Sequence, residues 1–102
     1  MANGGTNDKF LRVKEIAGLL RCTRQSLYAR VKRGMWPPIA KAQGVSGMLA
    51  SEFDRMQALL IGNASKEQVH ALVELIKRER GQRAKVVLDD MDAKAQKEDG
   101  DI

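Results

Sequence analysis

Apolar residues recur with helical spacing in four stretches of the chain. In FLRVKEIAGLL, Val13, Ile16, Ala17 and Leu20 fall at i, i+3, i+4 and i+7, one face of a helix. Only about two turns fit before Arg21-Cys22-Thr23. Thr23 then suits an N-cap, because its hydroxyl can accept a first-turn amide. It predicts a second helix over about Arg24 to Arg33, with Leu27 and Val31 turned inward. Gly34 suits the left-handed residue just past that helix, and Pro37-Pro38 stops it. Farther on, Phe53, Met56 and Leu60 mark a third helix that ends at Gly62. Its start is read as a capping box over Ser51-Glu52-Phe53-Asp54. Ser65-Lys66-Glu67-Gln68 is a second box. It opens the clearest amphipathic stripe, Val69, Leu72, Val73 and Ile76, which runs on to Gly81 with Leu75 at one margin.

Between the second and third helices the period changes. IAKAQGVSGML holds two short runs of small or apolar residues around Gly44 and Gly47, which predicts a β-hairpin. The expected fold is mainly α with one small β-hairpin between the second and third helices, plus an extra C-terminal helix. Its parts are a disordered N-terminus at 1–8, a compact unit at 9–62 and an amphipathic helix at 63–81. An acidic flexible tail is expected at 82–102. The 63–81 helix is read as packing on the unit or mediating self-association. No internal repeat is visible.

Charge sharpens this picture. The formal net charge is +5, but residues 1–62 hold ten Lys/Arg against four Asp/Glu, whereas residues 63–102 hold eight against nine. The positive field belongs to the N-terminal unit and attracts polyanions, nucleic acid or an anionic membrane. No apolar run is long enough to span a membrane, and MANGGTND lacks the order of a signal peptide. The expectation is a cytoplasmic protein and, of the two polyanions, nucleic acid as its partner. Cys22 is the lone cysteine, so no intrachain disulfide framework exists. Cys22 and His70, each the only residue of its type, cannot furnish a conventional zinc site. Ser26 and Ser46 have no evident base and no triad can be assembled, so no enzyme and no cofactor is expected. Phe10, Tyr28, Trp36 and Phe53 are the only aromatics, too few for an aromatic-lined ligand pocket. Trp36 and Phe53 are read as core, with base stacking as the alternative for Trp36. Cys22 is read as packed at the helix joint, and His70 as a surface residue.

Two short helices joined by a tight turn, the second more basic, describe a helix-turn-helix. Such a pair holds its second helix at an angle suited to a major groove. With Leu27 facing the core at 100° per residue, Gln25, Ala29 and Lys32 point away and Tyr28 lies on the flank. Arg24 and Gln25 become candidates for base edges: an arginine forks onto guanine and a glutamine onto adenine. Tyr28, Lys32, Arg33 and, on the hairpin, Lys41 are candidates for phosphates. The bland alternative is a solvated basic helix face.

The stretch FLRVKEIAGLLRCTRQSLYARVKRGMWPPIAK, Phe10 to Lys41, resembles the AlpA-type regulators of prophages and integrative elements. These are similar to excisionases and to the wider group that includes MerR-type regulators. The resemblance is carried by Phe10-Leu11-Arg12, Lys14-Glu15-Ile16, Thr23-Arg24, Leu27-Tyr28, and Lys32-Arg33-Gly34 followed by Trp36-Pro37-Pro38-Ile39. It implies a winged helix-turn-helix on DNA at attachment sites or integrase promoters, with Arg24, Gln25 and Tyr28 on its recognition helix. Members regulate integrase-linked genes or direct excision, which makes a tyrosine integrase and self-association on DNA the expected partners. This chain departs from the pattern at Arg21, where the family has a turn glycine, and at Arg30, where it has an apolar residue. GVSGML also lacks the usual glycine-arginine pair and aromatic. A rival expectation is an assembly or adaptor protein, like the small subunits of phage packaging terminases, which carry a comparable module and act as oligomers.

Overall fold

The computed structural model describes residues 8–42 and 44–100, with side chains described as far as residue 93. Among the described residues seven elements follow one another: β1 (Phe10–Arg12), α1 (Val13–Leu20), α2 (Arg24–Lys32), β2 (Ala40–Ala42), β3 (Val45–Leu49), α3 (Ala50–Ile61) and α4 (Lys66–Gly100). The fold is mainly helical with a small three-stranded antiparallel sheet in the order β1-β3-β2.

The hairpin forms as its glycines suggest, with Gly44 at φ +83° between β2 and β3. The third strand is a correction to the expected two-stranded wing. Phe10–Arg12 pairs with Leu49–Gly47 of β3 instead of merely leading into α1. The reason lies partly in Gly47, which is opposite Arg12 on one side and Ala40 on the other. A Cβ there would overlap the Leu11 carbonyl oxygen, so only glycine lets β1 and β3 approach this closely.

Helix starts follow the sequence in two places and depart from it in a third. The Thr23 hydroxyl accepts the Ser26 amide at 3.0 Å. Ser65 and Gln68 exchange both bonds of a capping box, at 2.9 and 3.1 Å. At α3 the box is shifted by two residues from the expected Ser51–Asp54. The Glu52 carboxylate accepts the Leu49 amide at 3.1 Å. Ser51 instead gives its amide and its hydroxyl to Asp8. Asp8, expected in a disordered terminus, is therefore an acidic cap on α3, where the helix dipole favours it; residues 1–7 lie outside the described residues. Arg21 occupies the left-handed region at φ 53°, ending α1 where a glycine would be at ease. Gly62 ends α3 as expected, as the residue that caps Ile61, and the left-handed residue follows it at Asn63 (φ 58°).

One core joins the four helices and β3, with Leu11 of β1 packed against it. Val13, Ile16, Leu27, Trp36, Met48, Phe53 and Met56 pack with Val69, Val73 and Ile76 of α4. Trp36 and Phe53 meet edge to face, centroids 5.9 Å apart, and Trp36 is 1% exposed, which removes it as a base-stacking residue. The 65–80 stripe thus folds back onto the domain. Each such side chain contributes about 1.5–3 kcal/mol on burial. A small core depends on that extra burial.

Two ion pairs pin α4. Arg80 donates to both Glu52 oxygens at 2.8 and 3.0 Å and to the Pro38 carbonyl at 2.6 Å. Glu52 is only 3% exposed. Arg55 bonds Glu79 at 2.8 Å. That hydrogen bond holds the Glu79 carboxyl below its ordinary range against the opposing effect of burial, with further help from the charges of Arg55 and Arg83.

The largest correction concerns the C-terminal part. Residues 82–100 continue α4 as helix where a flexible acidic tail was expected. The 35-residue helix would span about 52 Å at 1.5 Å per residue, and it sets the long dimension of the molecule, 57 Å against 28 and 27 Å.

Two variants test these supports. Gly47→Ala forces β1 away from β3 and is expected to cost at least about 3 kcal/mol in urea unfolding; a loss under about 1 kcal/mol contradicts the close approach. Arg80→Met leaves a buried carboxylate unpaired and is expected to cost about 3–5 kcal/mol. Adding Glu52→Gln removes that charge and should recover part of the loss.

Candidate nucleic-acid interface

The geometry of α2 follows from its inward anchors. Leu27 is completely buried and Val31 is half-buried against the core. At 100° per residue this turns Gln25, Ala29 and Lys32 outward, and all three are exposed. Arg24 and Tyr28 lie on the flank between the outward and inward faces; Arg24 is exposed and Tyr28 is 48% exposed. Arg24, Gln25, Tyr28 and Lys32 thus share a quadrant of the helix surface.

That flank looks onto the hairpin tip. Arg24 and Tyr28 line an open depression of about 360 Å³ together with Arg12, Val13, Lys14, Gly44, Val45 and Ser46. Arg12 and Lys14 are exposed and were not among the sequence-predicted site residues. Nothing in the helical period signals them, because their place depends on β1 pairing with β3. Three cations rim the depression, and no carboxylate is among its lining residues. Lys41 is exposed and sits directly across the hairpin from Ser46. Cross-strand partners share a sheet face, so Lys41 extends this side of the hairpin.

Arg33 is separated from this group. It lines a second depression of about 600 Å³ at the far end of α2, with Arg30, Met35, Trp36, Leu60 and Lys66. Arg30 is half-buried and runs along this apolar floor, as a long cationic side chain can. The six predicted residues therefore divide: Arg24 and Tyr28 face the hairpin depression, Gln25 and Lys32 point to solvent beside them, Lys41 lies across the hairpin, and Arg33 lies at the other end.

The exit of α2 is fixed from α4. His70 is exposed, and its Nδ1 lies 3.2 Å from the Gly34 carbonyl oxygen. Gly34 has φ +76°, and a Cβ there would come within 3.0 Å of the His70 ring. Histidine 70 thus has a structural contact that its position off the apolar stripe does not reveal. Cys22 is half-buried at the α1–α2 joint, packed against the core.

Among the described residues, no group of three or more His, Cys, Asp or Glu side chains is placed to hold a metal ion, and no helix is long and apolar enough to cross a membrane. Compared with protein-family models, curated proteins and solved structures, the chain matches none.

Proposed function

We propose that this chain is a non-enzymatic, sequence-specific double-stranded DNA-binding protein built as a winged helix-turn-helix. In this reading α2 is the recognition helix and the β2–β3 hairpin is the wing. The observation that carries the reading is the uncovered quadrant of α2. Arg24, Gln25, Tyr28 and Lys32 are all solvent-accessible there, beside a depression rimmed by Arg12, Lys14 and Arg24 and lined by no acid. A duplex presents dense negative charge and a major groove about as wide as a helix. Arg24 and Gln25 would read base edges. Tyr28, Lys32 and Lys41, with Arg12 and Lys14, would hold phosphates, and Arg33 would take a phosphate farther along the backbone. The resemblance of Phe10–Lys41 to AlpA-type regulators favours a role in a prophage or integrative element. There the protein would act as transcriptional regulator, excision factor or both, alongside a tyrosine integrase. One module of this size makes a small interface, so useful specificity calls for several copies on adjacent sites.

A second reading is favoured by the exposed apolar side chains of Val86, Val87, Leu88 and Met91 on α4. It is an assembly or adaptor protein, in the manner of a terminase small subunit. A stable ring-sized oligomer in light scattering without DNA supports this second reading.

Fluorescence anisotropy tests the first reading, on a duplex selected from a randomised pool and on a scrambled one. Arg24→Ala is expected to cost about 1–3 kcal/mol on the selected duplex and to relax sequence choice. Lys32→Ala, Arg12→Ala and Lys14→Ala should weaken both duplexes alike. Equal losses on both duplexes for Arg24→Ala contradict its assigned role. Affinity should also fall with salt, and each of the three phosphate variants should flatten the log–log slope by about 0.9. A salt-independent affinity rules the reading out.

A further inference from the structure

We propose that the projecting half of α4 pairs antiparallel with the same segment of a second copy of this chain, forming a closed dimer. The proposal goes beyond DNA binding and uses none of the residues of the α2 face.

The apolar stripe does not stop where the domain does. Val69, Val73, Ile76 and Arg80 follow one another in steps of four, three and four along the face packed on the domain. The same steps continue to Ala84, Val87 and Met91, with Leu88 beside them. An eleven-residue period of this kind stays on one face of a nearly straight helix. Within the domain the stripe is covered. Beyond it, Val87, Leu88 and Met91 are 58–59% exposed. A helix segment of this length has little stability of its own in water, and an apolar strip along it calls for a cover.

Charge names the cover. Before the strip's centre stand Arg83 and Lys85; after it stand Asp89, Asp90 and Asp92, with no acid from Arg80 to Leu88 and no base from Val86 to Ala93. A parallel partner would set like charges side by side. An antiparallel partner centred between Val87 and Leu88 sets Arg83 opposite Asp92 and Lys85 opposite Asp90. It also sets small Ala84 opposite long Met91, and Val87 opposite Leu88. The strip is therefore complementary to itself under a two-fold axis, the form of an isologous contact, which closes at two copies. Where α4 leaves α3 there is an open notch of about 570 Å³, lined by Arg55, Glu79, Gln82, Arg83, Val86 and Val87. It lies where the acidic end of the partner's segment would come to rest.

Arg83 and Asp92 are nine residues apart, about 14 Å along the axis, so they cannot pair within one chain. Charge reversal therefore separates contacts between copies from contacts within one. In sedimentation equilibrium of the full chain without DNA, a monomer–dimer equilibrium is expected. Arg83→Asp and Asp92→Arg should each raise the dissociation constant about tenfold or more. Together they should return it to within about threefold of the original chain, and Leu88→Lys should abolish the dimer. Thermal unfolding of the domain, measured on dilute monomer, should stay unchanged in Asp92→Arg and Leu88→Lys, whose side chains are exposed and lie away from the Arg55–Glu79 pair. A monomer at every concentration, a ring, or a dimer whose single reversals are not rescued by the double variant overturns the proposal. Loss of DNA binding leaves it intact, since no DNA is present.

Discussion

The guanidinium of Arg80 stands where three distant segments meet. It forks onto Glu52, whose carboxylate also closes the N-terminus of α3 through the Leu49 amide, and it bonds the Pro38 carbonyl between α2 and the hairpin. The planar fork of arginine suits this set of acceptors, and a lysine could not reproduce it. A carboxylate as buried as Glu52 is costly without a partner. The docking of α4 and the capping of α3 are thus one event. Residues 63–81 complete the domain, because without them the Glu52 charge is orphaned and Val69, Val73 and Ile76 are missing from the core.

The same helix holds the exposed face in place from behind. The segment that leaves α2 and enters the hairpin is bound at both ends by α4: His70 at the Gly34 carbonyl and Arg80 at the Pro38 carbonyl. Between them Trp36 is buried against Phe53. The hairpin is set from its other side by β1 on β3. The angle between α2 and the hairpin tip, and so the width of the depression rimmed by Arg12, Lys14 and Arg24, is governed by side chains that never reach it. Two halves of a proposed DNA contact positioned by rigid elements lose little freedom on binding, and preorganisation of this kind lowers the entropy cost of association.

Local chemistry was legible in the sequence, and long-range pairing was not. Thr23, Ser65 with Gln68, Gly34 and the apolar steps of α1 and α4 act within a few residues, so their signals survive in a short window. The hairpin was legible for the same reason. Phe10–Arg12 was not, because three residues carry no period and become a strand only when Gly47 lets them approach. The α3 box was misplaced because Ser51 satisfies the local rule, while Asp8, 43 positions away, takes its donors. The outward residues of α2 came directly from the position of Leu27. Arg12 and Lys14 did not, since their place at the depression is a product of sheet topology. The continuation of α4 was hidden by composition: a run of acids resembles a solvated tail, and the 4-3-4 spacing beneath it is visible only once the earlier half of the stripe has a fixed face.

That continuation changes what the acids can do. A flexible acidic end could fold over a basic surface and screen it. In a helix the distance is set. His70 touches the exit of α2 at Gly34, and Asp89 lies 19 residues farther along the same helix, about 28 Å by the rise of an α-helix. The Debye length at physiological salt is about 8 Å. The acids of residues 89–92 are thus held beyond electrostatic reach of the α2 exit, and their field cannot neutralise it in the same copy. The positive face of α2 and the acids of residues 89–92 are therefore independent surfaces of one molecule. In the proposed contacts each meets a different partner: the α2 face a duplex, and the acids the Arg83–Lys85 turn of another copy.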